Sequence, residues 1–171
     1  MENKMQEILL DKLTFNIGIG SNEQQLQNAK ALLNLVTKRK AVATVARKRN
    51  PTLKIKEGQA IGAMVTVRKK EAAELLRKAL DAVNFSVKES SIRENTLSFG
   101  IMEYIDFPGI KYDPKIGMLG MNVNATFIRK GRRVALRKRK RSTIGSKHAT
   151  IGRQELAAYL KENFKLGVAE E

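Results

Sequence analysis

The sequence predicts an α+β sandwich: an antiparallel-rich sheet of about five strands, with helices on one face and the other face open. Two observations predict it. Apolar residues alternate with small or polar ones in five short runs, and three longer runs repeat them at helical spacing. The order of the runs is strand, helix, two strands, helix, two strands, helix, with no internal repeat and no linker-like stretch. At 171 residues the chain fits one domain spanning residues 1–171, with enough apolar material for a core.

Each element has its own signal. Leu13, Phe15, Ile17 and Ile19 alternate with Thr14, Asn16 and Gly18, which predicts a half-buried strand. Ser21 is the expected N-cap of the next helix, with Gln24 completing a capping box; Leu26, Ala29, Leu33 and Val36 carry that helix to about Thr37. Val42 to Arg47 reads as a short strand, and Lys48 to Lys56 as a cationic loop broken at Asn50-Pro51. Ile61, Ala63, Val65 and Val67 form the third strand. A helix from about Lys70 to Val83 buries Ala72, Leu75, Leu76, Ala79 and Val83. A polar connection leads to the alternation of Leu97, Phe99 and Ile101. Two prolines and three glycines between Asp106 and Gly120 predict an irregular loop. Met121, Val123, Ala125 and Phe127 form a fifth strand, which Lys130-Gly131 turns into a basic arm or hairpin at about 129–150. The last helix, about Gly152 to Phe164, aligns Leu156, Leu160 and Phe164, with Gly167 as its stop.

Charge is segregated along the chain. Pro114 to Gln154 holds twelve Lys or Arg and no acid, nine of the twelve between Arg129 and Arg141; Gln24 to Lys56 holds nine more, again without an acid. The remainder has twelve cations against 17 acids, so the formal net charge of +16 resides in these two windows. Such segregation is the footprint of a nucleic-acid binder. The chain has no cysteine, which excludes disulfides, thiolate metal sites and cysteine nucleophiles and suits a reducing compartment. The start, Met-Glu-Asn-Lys, lacks the apolar stretch of a signal peptide, and no apolar run has membrane-spanning length. A cytoplasmic protein with no membrane association is expected.

The alternation also specifies the second face of the sheet: Thr14, Asn16 and Gly18; Gly62, Met64, Thr66 and Arg68; Ser98 and Gly100; Asn122, Asn124 and Thr126. A solvated sheet face is rich in Lys and Glu. This one is small, nearly neutral and dense in hydrogen-bonding groups, as suits the 2′-hydroxyls and base edges in the wide minor groove of A-form RNA. It has no Phe, Tyr or Trp, so a platform for stacking single-stranded bases is not indicated. The competing reading is a face covered by another element of the chain or by a protein partner.

Candidates for chemistry fare worse. Gly18-Ile19-Gly20 precedes a helix as in a dinucleotide-binding turn, but Glu23 stands where the third glycine belongs and would oppose a pyrophosphate. Glu103, Asp106 and Asp113 fit no regular metal-ligand spacing. His148 is the only histidine, and without a paired acid it is a poor general base. No metal, cofactor or catalysis is expected. Two rival functions remain open. A metal-dependent nuclease would use Glu103, Asp106 and Asp113, and Asp113→Ala would stop it. An architectural DNA-binding protein would bind duplex DNA as well as folded RNA, and among the face residues only Met64 offers an apolar wedge.

The stretch FGIMEYIDFPGIKYDPKIGMLGMNV, from Phe99 to Val123, closely resembles a signature of the large-subunit ribosomal protein L5 family. FNIGIG at Phe15 to Gly20 and LKIKEGQAIGAMVTVR at Leu53 to Arg68 are similar to that family as well, and RKRKRSTIGSKHAT at Arg137 to Thr150 resembles its archaeal and eukaryotic branch. The resemblance implies a structural constituent of the large subunit that binds 5S rRNA through the open sheet face. It further implies help in attaching 5S to 23S rRNA in the central protuberance, and contacts to peptidyl-site tRNA and a small-subunit head protein. Asn16 matches the family's strand-one contact, Thr66 and Arg68 its third-strand contacts, and Lys48, Arg49, Asn50, Pro51, Thr52, Leu53, Lys54 and Ile55 its tRNA-facing loop. Leu53 departs from the phenylalanine common there, and Asn50-Pro51 is unusual. The expected RNA-contacting set adds Gly18, Lys38, Arg39, Lys40, Thr44, Arg47, Asn122, Asn124, Arg129, Lys130, Arg132, Arg133, Arg137, Lys138, Arg139, Lys140 and Arg141.

Overall fold

The computed structural model describes residues 4–20 and 22–169. Its strands are β1 (Ile8–Gly18), β2 (Val42–Val45), β3 (Ala60–Arg68), β4 (Ser86–Lys88), β5 (Ile92–Arg93), β6 (Thr96–Ile101), β7 (Met121–Arg129) and β8 (Gly167–Ala169). Six of them form the main sheet, wholly antiparallel, in the order β2-β3-β1-β7-β6-β5. β4 and β8 make a separate parallel pair. The long helices are α1 (Glu23–Thr37), α2 (Lys70–Asp81) and α5 (Arg153–Phe164); α3 (Arg133–Leu136) and α4 (Ser146–Ala149) are single turns.

One apolar cluster lies between the sheet and the helices. Leu13, Phe15, Val65, Val67, Val123, Ala125 and Phe127 supply the sheet side. Leu32 and Leu33 of α1, Leu76 and Leu80 of α2, and Leu156 and Leu160 of α5 supply the helix side, all fully buried. α1 packs on β3 and α2 on β1. Phe15 meets Phe107 edge to face, with centroids 6.3 Å apart and planes at 73°. Phe127 meets Tyr159 in the same manner at 5.9 Å.

Several boundaries differ from expectation, for local reasons. Ser21 lies outside the described residues, and Asn22 caps α1: its side-chain oxygen accepts from Gln24 N at 3.1 Å and Gln25 N at 3.4 Å. β2 ends at Val45 and α2 at Asp81, each two residues early. Gly167 does not stop α5. Lys165 does so in the left-handed region (φ 55°), and Gly167 instead opens β8, donating its N–H to Phe85 O at 2.7 Å. The connection read as polar holds β4 and β5, whose Val87 and Ile92 are buried. Two- and three-residue strands are too short to display a period.

β1 begins five residues earlier than its clear alternation. Leu10 pairs with Phe127 and Lys12 with Thr126, so Asp11 is an extra residue in the ladder. The bulge resets the two-residue period. Ile8 and Leu10 before it share the core side with Leu13, Phe15 and Ile17 after it, and Lys12 is directed to the open face.

Candidate nucleic-acid interface

The strand registers assemble the open face into four rows. Thr44, Gly62 and Gly18 form the first; Val42, Met64, Asn16, Asn122 and Gly100 the second. Thr66, Thr14, Asn124 and Ser98 form the third. Arg68, Lys12, Thr126, Thr96 and Arg93 form the fourth. With neighbouring strands about 4.8 Å apart, a five-strand row spans about 19 Å. Asn122 is exposed, while Asn16, Thr66, Thr14 and Asn124 are half-buried among their neighbours rather than beneath a helix, since α1 and α2 pack on the other side. Thr14 and Thr66 bring their hydroxyls within 3.5 Å. The rows therefore place Asn16, Asn122 and Asn124 together beside the threonines. Each amide both donates and accepts, as 2′-hydroxyls and base edges require.

Gly62 is needed where it stands. A Cβ there would lie 2.5 Å from Ile17 O and 2.9 Å from Thr44 Oγ1, so a side chain would push backbone and hydroxyl aside in the first row.

The fourth row carries the charge, and two of its cations escape a reading of the sequence. Lys12 is hidden by the bulge and Arg93 by the brevity of β5. The unbroken apolar run Ile8-Leu9-Leu10, followed by Leu13 three residues on, is the trace the bulge leaves in the sequence.

Around the rim, some expected cations already have acidic partners. Arg39 pairs with Glu71 at 2.6 Å, Arg68 with Asp11 at 2.8 Å, and Lys130 with Glu7. Arg129 pairs with Glu155 at 2.6 Å; its side chain is only 12% exposed and its Nε is buried without a partner. Lys38, Lys40, Arg47, Arg132, Arg133, Arg137, Lys138, Arg139, Lys140 and Arg141 take part in no ion pair among the described residues.

The loop at 48–55 is a built hairpin tip. Asn50 and Ile55 exchange backbone hydrogen bonds at 3.0 Å each way, and Asn50 Oδ1 accepts from Thr52 N at 3.1 Å. Asn50-Pro51 is thus the turn-former: the amide closes an Asx turn and the proline presets the next φ. Ile55 is buried beneath it, and Leu53 at the tip is 61% exposed.

The basic segment contains no strand beyond the end of β7. Gly131 (φ 92°) turns the chain out of β7 into α3, and the return path ends in α4. Its base is clasped twice. His148 Nε2 lies 2.9 Å from Lys130 O, which makes Nε2 the protonated nitrogen. Asn95, held at φ 60°, donates to Ala149 O at 2.9 Å and accepts from Ile151 N at 2.6 Å. Asn95→Ala removes both bonds and places alanine in the left-handed region, so a loss of about 2–4 kcal/mol is expected by denaturant titration. Faster proteolysis within 130–150 should accompany it; intact stability would show that the clasp is dispensable.

Beside the clasp, burial first and the Glu7 carboxylate second raise the Tyr159 hydroxyl above its ordinary pKa, so it stays protonated. Glu103, Asp106 and Asp113 do not converge: Asp113 caps a local turn, accepting from Lys115 N at 3.0 Å. Among the described residues no group of three or more His, Cys, Asp or Glu is arranged to hold a metal ion. No helix among them is long and apolar enough to cross a membrane.

Comparison with known proteins agrees in both halves of the chain. A family model described as Ribosomal protein L5 matches residues 3–56, and a second, describing the C-terminus of the same ribosomal family, matches residues 60–158. The chain is 41% identical over 169 residues to the large ribosomal subunit protein uL5 of Sulfurisphaera tokodaii, covering 98% of this chain and 96% of that protein. It is 40% identical over 169 residues to that of Nanoarchaeum equitans, covering 98% of each, and 34% identical over 170 residues to that of Methanobrevibacter smithii, covering 99% of each.

Proposed function

Because the chain belongs to the ribosomal protein L5 family, and so is a structural protein of the large ribosomal subunit rather than an enzyme, we propose that it binds 5S rRNA through the open sheet face and helps attach it to 23S rRNA in the central protuberance. The observation that carries this reading is the arrangement of the four rows. The Asn and Thr rows offer paired donors and acceptors without charge, and cations lie along one end and around the rim. Neutral rows match sugar hydroxyls and base edges; the cations match phosphates. The hairpin tip at 48–55 projects from the β2–β3 edge and is the element that would meet peptidyl-site tRNA. The contact to a small-subunit head protein belongs to the same reading, as does work within cytoplasmic ribosomes.

The test separates the face from the fold. Asn16→Ala and Thr66→Ala each remove hydrogen-bonding capacity from a half-buried, non-core position. Each should weaken binding to a 5S rRNA transcript about 5- to 30-fold, the equivalent of about 1–2 kcal/mol, with an unchanged melting curve. Filter binding beside circular dichroism decides. Unchanged affinity with a lowered melting point would mean that these groups support the sheet and not the RNA.

A further inference from the structure

The loop of residues 130–150 is folded back on itself. Ser142 N donates to Val134 O at 3.3 Å, and Arg137 Nε donates to Lys140 O at 2.7 Å. Between the outgoing and returning limbs of this loop lies a cavity of about 230 Å³. Ala135, Leu136, Ile144 and Ala149 give it aliphatic walls, and Arg132 and Arg141 add two guanidinium groups to the lining. Arg129 and His148 complete the lining, and Arg129 is the residue whose Nε is buried without a partner.

We propose that this cavity receives a single unstacked ribonucleotide of the bound RNA, its base against the aliphatic walls and its phosphate between Arg132 and Arg141. The inference rests on the RNA-binding reading but uses a different part of the surface. Three features select the ligand. The space is smaller than the ~300–1,000 Å³ of pockets for drug-sized molecules, so it suits one base and not a stacked pair. Aliphatic walls suit a ring and would give nothing to a bare anion. Guanidinium groups stack on splayed bases and grip phosphates, whereas nine cations without an acid between Arg129 and Arg141 disfavour an ordinary apolar peptide segment. With Nε2 of His148 held by Lys130 O, its remaining ring nitrogen is an acceptor while the ring is neutral.

The experiment uses the full chain with labelled methyl groups, titrated with the four nucleoside 5′-monophosphates and, separately, with inorganic phosphate. The methyls of Ala135, Ile144 and Ala149 should shift with at least one nucleotide and not with phosphate. Ala135→Trp, which fills the cavity, should abolish those shifts and weaken binding to the rRNA transcript about tenfold, the scale of returning one ring's apolar contact area to water. The proposal is overturned if no nucleotide moves these methyls, if phosphate moves them equally, or if an oligoglutamate peptide moves them as far. Because this readout is taken on the unmodified protein, it stands even where Ala135→Trp folds poorly. Silent methyls together with a weakened Asn16→Ala variant would refute the pocket and leave the sheet-face reading intact; responsive methyls with a fully active Asn16→Ala variant would do the reverse.

Discussion

Raising monovalent salt from 50 to 200 mM should lower the affinity for a 5S rRNA transcript by about three to five decades, if six to ten cations engage phosphates on the scale of duplex DNA. The number of cations follows from the surface. Ten of the expected contacts, Lys38, Lys40, Arg47, Arg132, Arg133, Arg137, Lys138, Arg139, Lys140 and Arg141, are without an acidic partner among the described residues. Arg39 and Arg68 sit in exposed pairs whose strength in water is at most about 1 kcal/mol, so a phosphate competes readily for them. Arg129 differs, being nearly buried against Glu155. Titrations at four or more salt concentrations give the slope directly. A decline of less than one decade would show that few of these cations touch the RNA and that the neutral rows dominate affinity.

Phe15→Ala should cost about 3–5 kcal/mol of folding stability, the range for removing a fully buried aromatic ring. For a chain of this length that corresponds to a fall in melting temperature of about 6–20 °C. Phe15 stands on β1, which pairs with both β3 and β7, so its ring sits at the middle of the core. Phe107, edge-on at 6.3 Å, is anchored in the long loop before β7 and would lose this ring contact. Thermal melting checks the result. A fall of under 3 °C would mean that the neighbouring leucines collapse into the space. The contrast with Asn16→Ala, one residue along the same strand, is the sharper point: adjacent side chains on opposite faces should divide stability from binding.

What the sequence disclosed, and what it did not, has a physical pattern. α1, α2 and α5 were legible because each repeats its apolar residues over three or more turns. The strands of the main sheet were legible wherever alternation ran beyond four residues, and so were the neutral positions of the open face. The Asp11 bulge, β4, β5 and β8 were not, because a phase shift or a strand of two or three residues leaves almost no period to detect. Nor were the ion pairs. Lys130 and Glu7 are separated by 123 positions in the chain, and Arg39 and Glu71 by 32, so only the fold brings them together. The same holds for Asn95, whose side chain reaches residues more than fifty positions away. The resemblance supplied 5S rRNA as the proposed partner; the residues by themselves indicated structured RNA.

The single residue inserted at Asp11 gives the molecule a direction. By moving Lys12 into line with Arg68 and Arg93, it sets a row of cations flat on the sheet at one extremity, whereas at the other the row of Gly18, Thr44 and Gly62 is neutral and the cations belong to the hairpin tip that projects beyond it. A surface so polarised is not equivalent to itself after a half-turn about its normal. An RNA laid on it backwards would bring sugar edges over the row of Lys12, Arg68 and Arg93 and phosphates over amides, so the proposed docking has one preferred orientation.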